Sequence, residues 1–242
     1  MFFYQATDLP EFGFVPGVWD HRGTENVYLA HTDFTGLTAL DVGPANGFWS
    51  FEMERRGAKV TALELGPGDD WDAVPHGGKP TSGLGENLKA NVEEVHDQFK
   101  TCHAANNSNV KVVRGSAYNT PSLIHSVDIA LMGNILQHLR DPFLAIERVS
   151  QVVKKRIIIS ESIWTGDAEF LNTARLQLIP RHYAPDINHS WYQVAPPFVG
   201  EVLQILGFSN LKCEMHEQKF NGTSVDPYPR MVQHFTYSAD RP

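Results

Sequence analysis

Runs of consecutive apolar residues alternate along this chain with stretches whose apolar positions recur at helical spacing. LTALDV (37–42), KVTALEL (59–65), VKVVRGS (110–116), SVDIALMG (126–133) and KRIIISES (155–162) read as buried strands. Between them, GFWSFEMERRG (47–57), ENLKANVEEVHDQFKTCHA (86–104) and PFLAIERVSQVV (142–153) read as helices. Gly57 is placed to stop the first of these and Pro142 to start the last. Val- and Ile-rich strands separated by helices predict βαβ units and a parallel sheet covered on both faces. Residues 66–83 read as a long loop.

The rhythm is different at both ends. Residues 1–23, rich in aromatics, Pro and Gly, read as an irregular arm, and 24–34 as a short helix capped by Thr24. Residues 163–195 carry Trp164, Arg175, Arg181, His182, Tyr183, His189 and Trp191, and read as an insertion over the sheet edge. A helix over 196–208 then leads into two strands, 210–218 and 230–239, with no helix between them. The expected fold is α/β: one doubly wound, seven-stranded sheet, mostly parallel, closed by a C-terminal antiparallel hairpin. Its parts are an arm or cap (1–34), a cofactor-binding core (35–162), a lid (163–195) and a terminal helix with hairpin (196–242).

The chemistry concentrates where the first strand turns into its helix. Gly43 and Gly47 permit a sharp turn and a close ligand approach. The helix start offers unpaired N–H groups and partial positive charge. Glu64, ending the neighbouring strand, is suited to two ribose hydroxyls. A dinucleotide turn needs G-x-G-x-x-G, but Ala45 and Phe48 hold the second and third glycine positions, and Phe48 would obstruct a pyrophosphate. Asp41 is better matched to a cation such as an amino group. Ribose, a sulfonium and an amino-acid tail together describe S-adenosylmethionine.

These residues also carry a family resemblance. LDVGPANG with ALEL resembles the first two motifs of the class I S-adenosylmethionine-dependent methyltransferases, whose sheet is Rossmann-like. FWSFEMERRGAKVTALEL and SVDIALMGNILQHLRDPFLAIERV are similar to small bacterial methyltransferases, a branch related to tRNA wobble-uridine and to sugar and natural-product O-methyltransferases. The resemblance covers roughly residues 15–160. It implies a cofactor site of Asp41, Gly43, Asn46, Gly47 and Glu64, with Ser116 and Ala117 at the adenine and Gly133 and Asn134 under the methionine. Pro44 departs from the Cys, Ala or Thr of many members.

Further residues are candidates by position. Arg22 could fork onto the cofactor carboxylate, while His21 reads as structural. Trp71 could stack near adenine. His138, just past the fourth strand, is the expected general base, since imidazole alone titrates near neutral pH without perturbation. Glu161, at the fifth strand tip, is the second catalytic candidate. A divalent metal is the less favoured option, with Glu161 and Asp167 as its carboxylates.

Composition narrows the partners. The 242 residues carry a net charge of −8, which argues against a surface that holds nucleic acid and for a small-molecule acceptor. Two cysteines make neither a disulfide framework nor a metal knuckle, so a cytoplasmic setting is expected. Neither a signal peptide nor a membrane span is expected, and self-association stays open. The expected function is O-methylation of a small hydroxylated acceptor such as a sugar or secondary metabolite. Methylation of tRNA or another macromolecule, and a non-catalytic cofactor-binding role, are the alternatives.

Overall fold

The computed structural model describes residues 2–66, 72, 82–180, 190–223 and 226–242, side chains of 82–89 excepted. Along the chain, the arm supplies β1 (Phe3–Gln5), β2 (Thr7–Leu9), β3 (Gly13–Val15) and β4 (Gly17–Asp20). A one-turn helix α1 (Glu25–Tyr28) precedes β5 (Thr38–Val42), α2 (Phe48–Arg55), β6 (Lys59–Glu64), α3 (Ser82–Ala105) and β7 (Lys111–Arg114). Then come α4 (Thr120–Leu123), β8 (Val127–Gly133), α5 (Pro142–Ser150) and β9 (Val153–Ile163). The insertion holds α6 (Ala168–Leu171), β10 (Leu176–Leu178) and β11 (Tyr192–Val194), and α7 (Pro196–Ile205), β12 (Ser209–Phe220) and β13 (Arg230–Asp240) complete the fold.

The main sheet runs β1-β4-β12-β13-β9-β8-β5-β6-β7. β5 to β9 are mutually parallel, and β13 enters antiparallel between β9 and β12. All seven expected strands are present, but the sheet has nine. The two extra strands, β1 and β4, come from the arm read as irregular. Trp19 and Asp20 of β4 pair with Phe220 and Lys219 of β12, which covers an otherwise open edge.

Strand alternation sorts the core into two layers. Leu40, Val42, Ala130, Met132, Ile157 and Ile159 face α5 and α7. Ala39, Ile129, Leu131 and Ile158 face the opposite layer, which holds Trp49 and Met53 of α2 and Phe99 of α3. Both faces are therefore apolar, and the strands read as continuous hydrophobic runs.

Two local expectations are corrected. The helix expected over 24–34 stops at Tyr28, and the Thr24 hydroxyl donates to the carbonyl of His21 (2.7 Å) instead of capping a helical N–H. The helix expected from 86 begins at Ser82. Gly57 does end α2, with φ +95° and its N–H on the Glu54 carbonyl.

No helix among the described residues is long and apolar enough to cross a membrane.

Candidate active site

The strand order reverses at β5, which has β6 on one side and β8 on the other. Ligands in doubly wound sheets bind beyond the carboxyl ends of the strands at such a point. A cavity of about 350 Å³ lies there, a size typical of small-molecule sites. Gly43, Ala45, Glu64, Ser116, Ala117, Gly133, Asn134 and His138 form part of its wall.

At two of these positions a side chain would meet a neighbour closely. Gly43 has φ +73°, and a side chain there would also strike Ile135, 2.8 Å away. At Gly133 an added Cβ would lie 2.8 Å from the hydroxyl of Tyr28. Ala45 and Asn134, both at positive φ, mark the two turns that shape the cavity floor.

Glu64 is half-buried, and loss of solvent raises its carboxyl above the ordinary range against the Leu65 N–H, the Arg114 charge and the Ala45 N–H, which lower it. The Leu65 bond is 2.8 Å. A carboxylate presented on a cavity wall next to apolar Val42, Leu63 and Leu65 suits neutral hydroxyl donors such as those of a ribose. The Ser116 hydroxyl accepts from the N–H of Tyr118 (3.3 Å) and so fixes the turn over Ala117–Asn119. Asp72 closes this end, accepting from the Tyr118 hydroxyl (2.6 Å) and from the N–H (2.7 Å) and guanidinium of Arg140.

Four sequence candidates lie behind the wall, not on it. Asp41 is buried on the α2 face of β5, where it accepts from Ser50 (2.6 Å), and burial pushes its carboxyl up to about 7. Asn46 is fully buried and exchanges two hydrogen bonds with the backbone of Gln5. Gly47 has φ +93° and is crowded by Phe51 and Phe99. Glu161 is buried, and its carboxylate accepts from the N–H of Leu136 (2.6 Å) and from those of Ile135 and Gln137. Burial pushes it up to about 8 despite those bonds. These residues shape the turns and are not among those that line the cavity.

Arg22 is also off the cavity. Alternation along the arm turns Trp19 and His21 inward and Asp20 and Arg22 outward, and the Arg22 guanidinium is held by Asp20 (2.8 Å) and Asp8 (3.0 Å). The carboxylate pair for a metal is not assembled. Asp167 caps the N–H of Glu169 and pairs with Arg175, while Glu161 holds its loop. Trp71, Arg181, His182, Tyr183 and His189 lie outside the described residues. No described residue of the insertion lines the cavity, though its return segment reaches the His138 turn: Trp191 N–H donates to the Gln137 carbonyl (2.6 Å), and Ser190 Oγ is 3.4 Å from His138 Nδ1.

The arm, by contrast, supplies wall residues, among them His21, which the sequence reads as structural. Tyr4, Gln5, Trp19 and His21 line the cavity together with Tyr28. Their only sequence signal was aromatic density in a segment without regular periodicity.

Residues 40–159 match the family described as Methyltransferase domain. No protein of curated function matches the chain. Among solved structures, the chain is similar to magnesium protoporphyrin IX methyltransferase from Synechocystis PCC 6803 with bound SAM (15% identity, TM-score 0.51, 90% of this chain and 76% of that one). It is similar to the N-terminal domain of EvdMO1 in the presence of SAH and D-fucose (17%, TM-score 0.54, 98% and 90%). A SAM-dependent methyltransferase from Methanosarcina mazei is similar too (15%, TM-score 0.53, 85% and 92%). At these identities the likeness is one of fold. Strand order, the glycine turn with Glu64 on the next strand, and the domain match agree: the chain belongs to the class I S-adenosylmethionine-dependent methyltransferases.

Proposed function

We propose that the protein O-methylates a small, uncharged, hydroxylated acceptor such as a sugar or a secondary metabolite. The carrying observation is the wall beyond Gly133, where Tyr4, Trp19, His21 and Tyr28 offer aromatic faces, hydroxyls and an imidazole but no charge. Such faces pack on ring C–H surfaces, and the polar tips orient hydroxyls. The D-fucose present with EvdMO1 is compatible with that reading.

S-adenosylmethionine supplies an electrophilic methyl on a sulfonium. The chain's own residues bind and align. Glu64 is assigned the ribose hydroxyls, the Ser116–Ala117 turn the adenine, and Gly133 with Asn134 the methionine end. Asn134 is fixed for this: its N–H donates to Ser160 O (2.6 Å) and its side chain accepts from Ser162 N–H (3.0 Å). Methyl transfer needs alignment, exclusion of water and removal of the acceptor's proton. Two imidazoles on the wall, His138 and His21, have the chemistry for the last task.

The test is S-adenosylhomocysteine release with a panel of neutral monosaccharides, catechols and short RNAs. Turnover confined to the small neutral acceptors is expected. Turnover with RNA alone would overturn the reading.

A further inference from the structure

We infer that His21 is a catalytic residue, the group whose Nε2 accepts the hydroxyl proton of the methyl acceptor; this rests on the O-methylation reading above. His21 sits in the arm, yet it is buried against the cofactor core. Its ring packs on Trp49 (centroids 5.1 Å), Tyr28 (5.4 Å) and Phe48 (5.9 Å) and lies parallel to Trp19. Tyr28 in turn overlies Gly133, at the tip of β8. His21 therefore stands at the end of the cavity assigned to methionine and acceptor. His138 stands with Leu139, Arg140, Asp72 and Tyr118, whose turn borders the adenine side.

The ring is oriented by a chain of buried and half-buried hydrogen bonds. Nδ1 of His21 donates to Gln218 Oε1 (2.8 Å), and Gln218 Nε2 donates to His216 Nδ1 (2.9 Å). His216 Nε2 donates to Thr236 Oγ1 (2.9 Å), Thr236 donates to Ser160 Oγ (3.0 Å), and Ser160 bonds the Tyr28 hydroxyl. The chain starts and ends on the cavity wall. It fixes His21 as the Nδ1–H tautomer and leaves the Nε2 lone pair without a partner among the described residues. Burial lowers both His21 and His216 to about 4, so both rings are neutral at physiological pH.

The step balances. The acceptor oxygen bonds the methyl carbon as the carbon–sulfur bond breaks, its electron pair staying on the now neutral sulfur, and the proton moves from oxygen to Nε2. One positive charge leaves sulfur and one appears on the imidazole, so the buried site gains no net charge. That offsets the cost of an isolated imidazolium in apolar surroundings.

Nitrogen-15 NMR of histidine-labelled protein, with His21→Gln used to assign the signal, reads the tautomer directly, with and without S-adenosylhomocysteine. An Nδ1–H, unprotonated Nε2 ring is expected. An Nε2–H ring, which a reversed Gln218 amide would impose, overturns the proposal. With the best acceptor of the panel, His21→Gln should lower turnover at least about a hundredfold. S-adenosylhomocysteine affinity should stay within about threefold. Turnover of His21→Gln within about threefold of the parent also overturns it. If no panel acceptor is turned over, the O-methylation reading fails instead, and the tautomer alone decides the placement of His21.

Discussion

The carboxylate of Glu161 accepts the backbone N–H of Leu136 at 2.6 Å, from the tip of β9 to the loop that follows β8. It also takes the N–H groups of Ile135 and Gln137, so one side chain satisfies three donors of the loop carrying Asn134 and His138. Glu161→Ala should leave these groups buried without partners and cost about 2–4 kcal/mol. Chemical denaturation measures it. Glu161→Gln, which keeps one acceptor oxygen, should cost clearly less; equal losses would mean the carboxylate does not hold the loop.

Glu64→Gln tests the ribose assignment. Hydrogen bonds to a charged group contribute about 1.5–3 kcal/mol each, and about 1.4 kcal/mol is tenfold in affinity. Calorimetry should show S-adenosylhomocysteine binding at least about tenfold weaker. A change below about threefold would place the ribose elsewhere.

Gly133→Ala should act through Tyr28, whose hydroxyl would lie 2.8 Å from the new methyl. Overpacking of this kind costs about 1–3 kcal/mol. Tyr28→Phe in the same chain should recover at least half of that loss relative to Tyr28→Phe alone, a coupling visible only between touching residues. Strict additivity of the two substitutions would contradict the contact.

His234 predicts how stability responds to acid. Burial, with His21 and His216 adding to it, holds its ring at about 3, well below an unfolded histidine, and its Nε2 is buried without a partner. Between about pH 6.5 and 3 the unfolded chain therefore binds a proton that the native chain does not, and stability falls as pH falls. The loss is about 1.4 kcal/mol per pH unit for this one group well inside that window. His234→Phe, which can keep the packing against Trp19 (centroids 5.4 Å), should melt closer to its pH 8 value at pH 5 than the parent does. An unchanged acid dependence would remove His234 as its source.

Much of the core was legible because its signals are local. Gly43, Glu64 and Gly133 stand at strand ends that apolar runs delimit, and a turn into a helix needs glycine wherever it occurs. Asp41 and Glu161 show where position stops short of role. Both stand at or near strand tips, yet period-2 alternation sends Asp41 under α2 to Ser50 and Glu161 into the loop after β8. A one-residue difference in which face a side chain takes separates a ligand contact from a structural bond, and a sequence places strand ends no better than that. Arg22 likewise lies off the wall, turned outward by the alternation that turns His21 inward.

By itself, then, the sequence determined the βαβ order, the glycine turn with an acid on the neighbouring strand, and the cofactor class these imply, because each depends on residues close in the chain. Only the tertiary structure decided what walls the far end of the cavity. His21 meets Gln218 and Tyr28, which overlies Gly133, and Trp19 meets Phe220, through pairing of the arm with β12. Such pairing joins segments some two hundred residues apart by backbone hydrogen bonds, which any sequence can make and no short motif records.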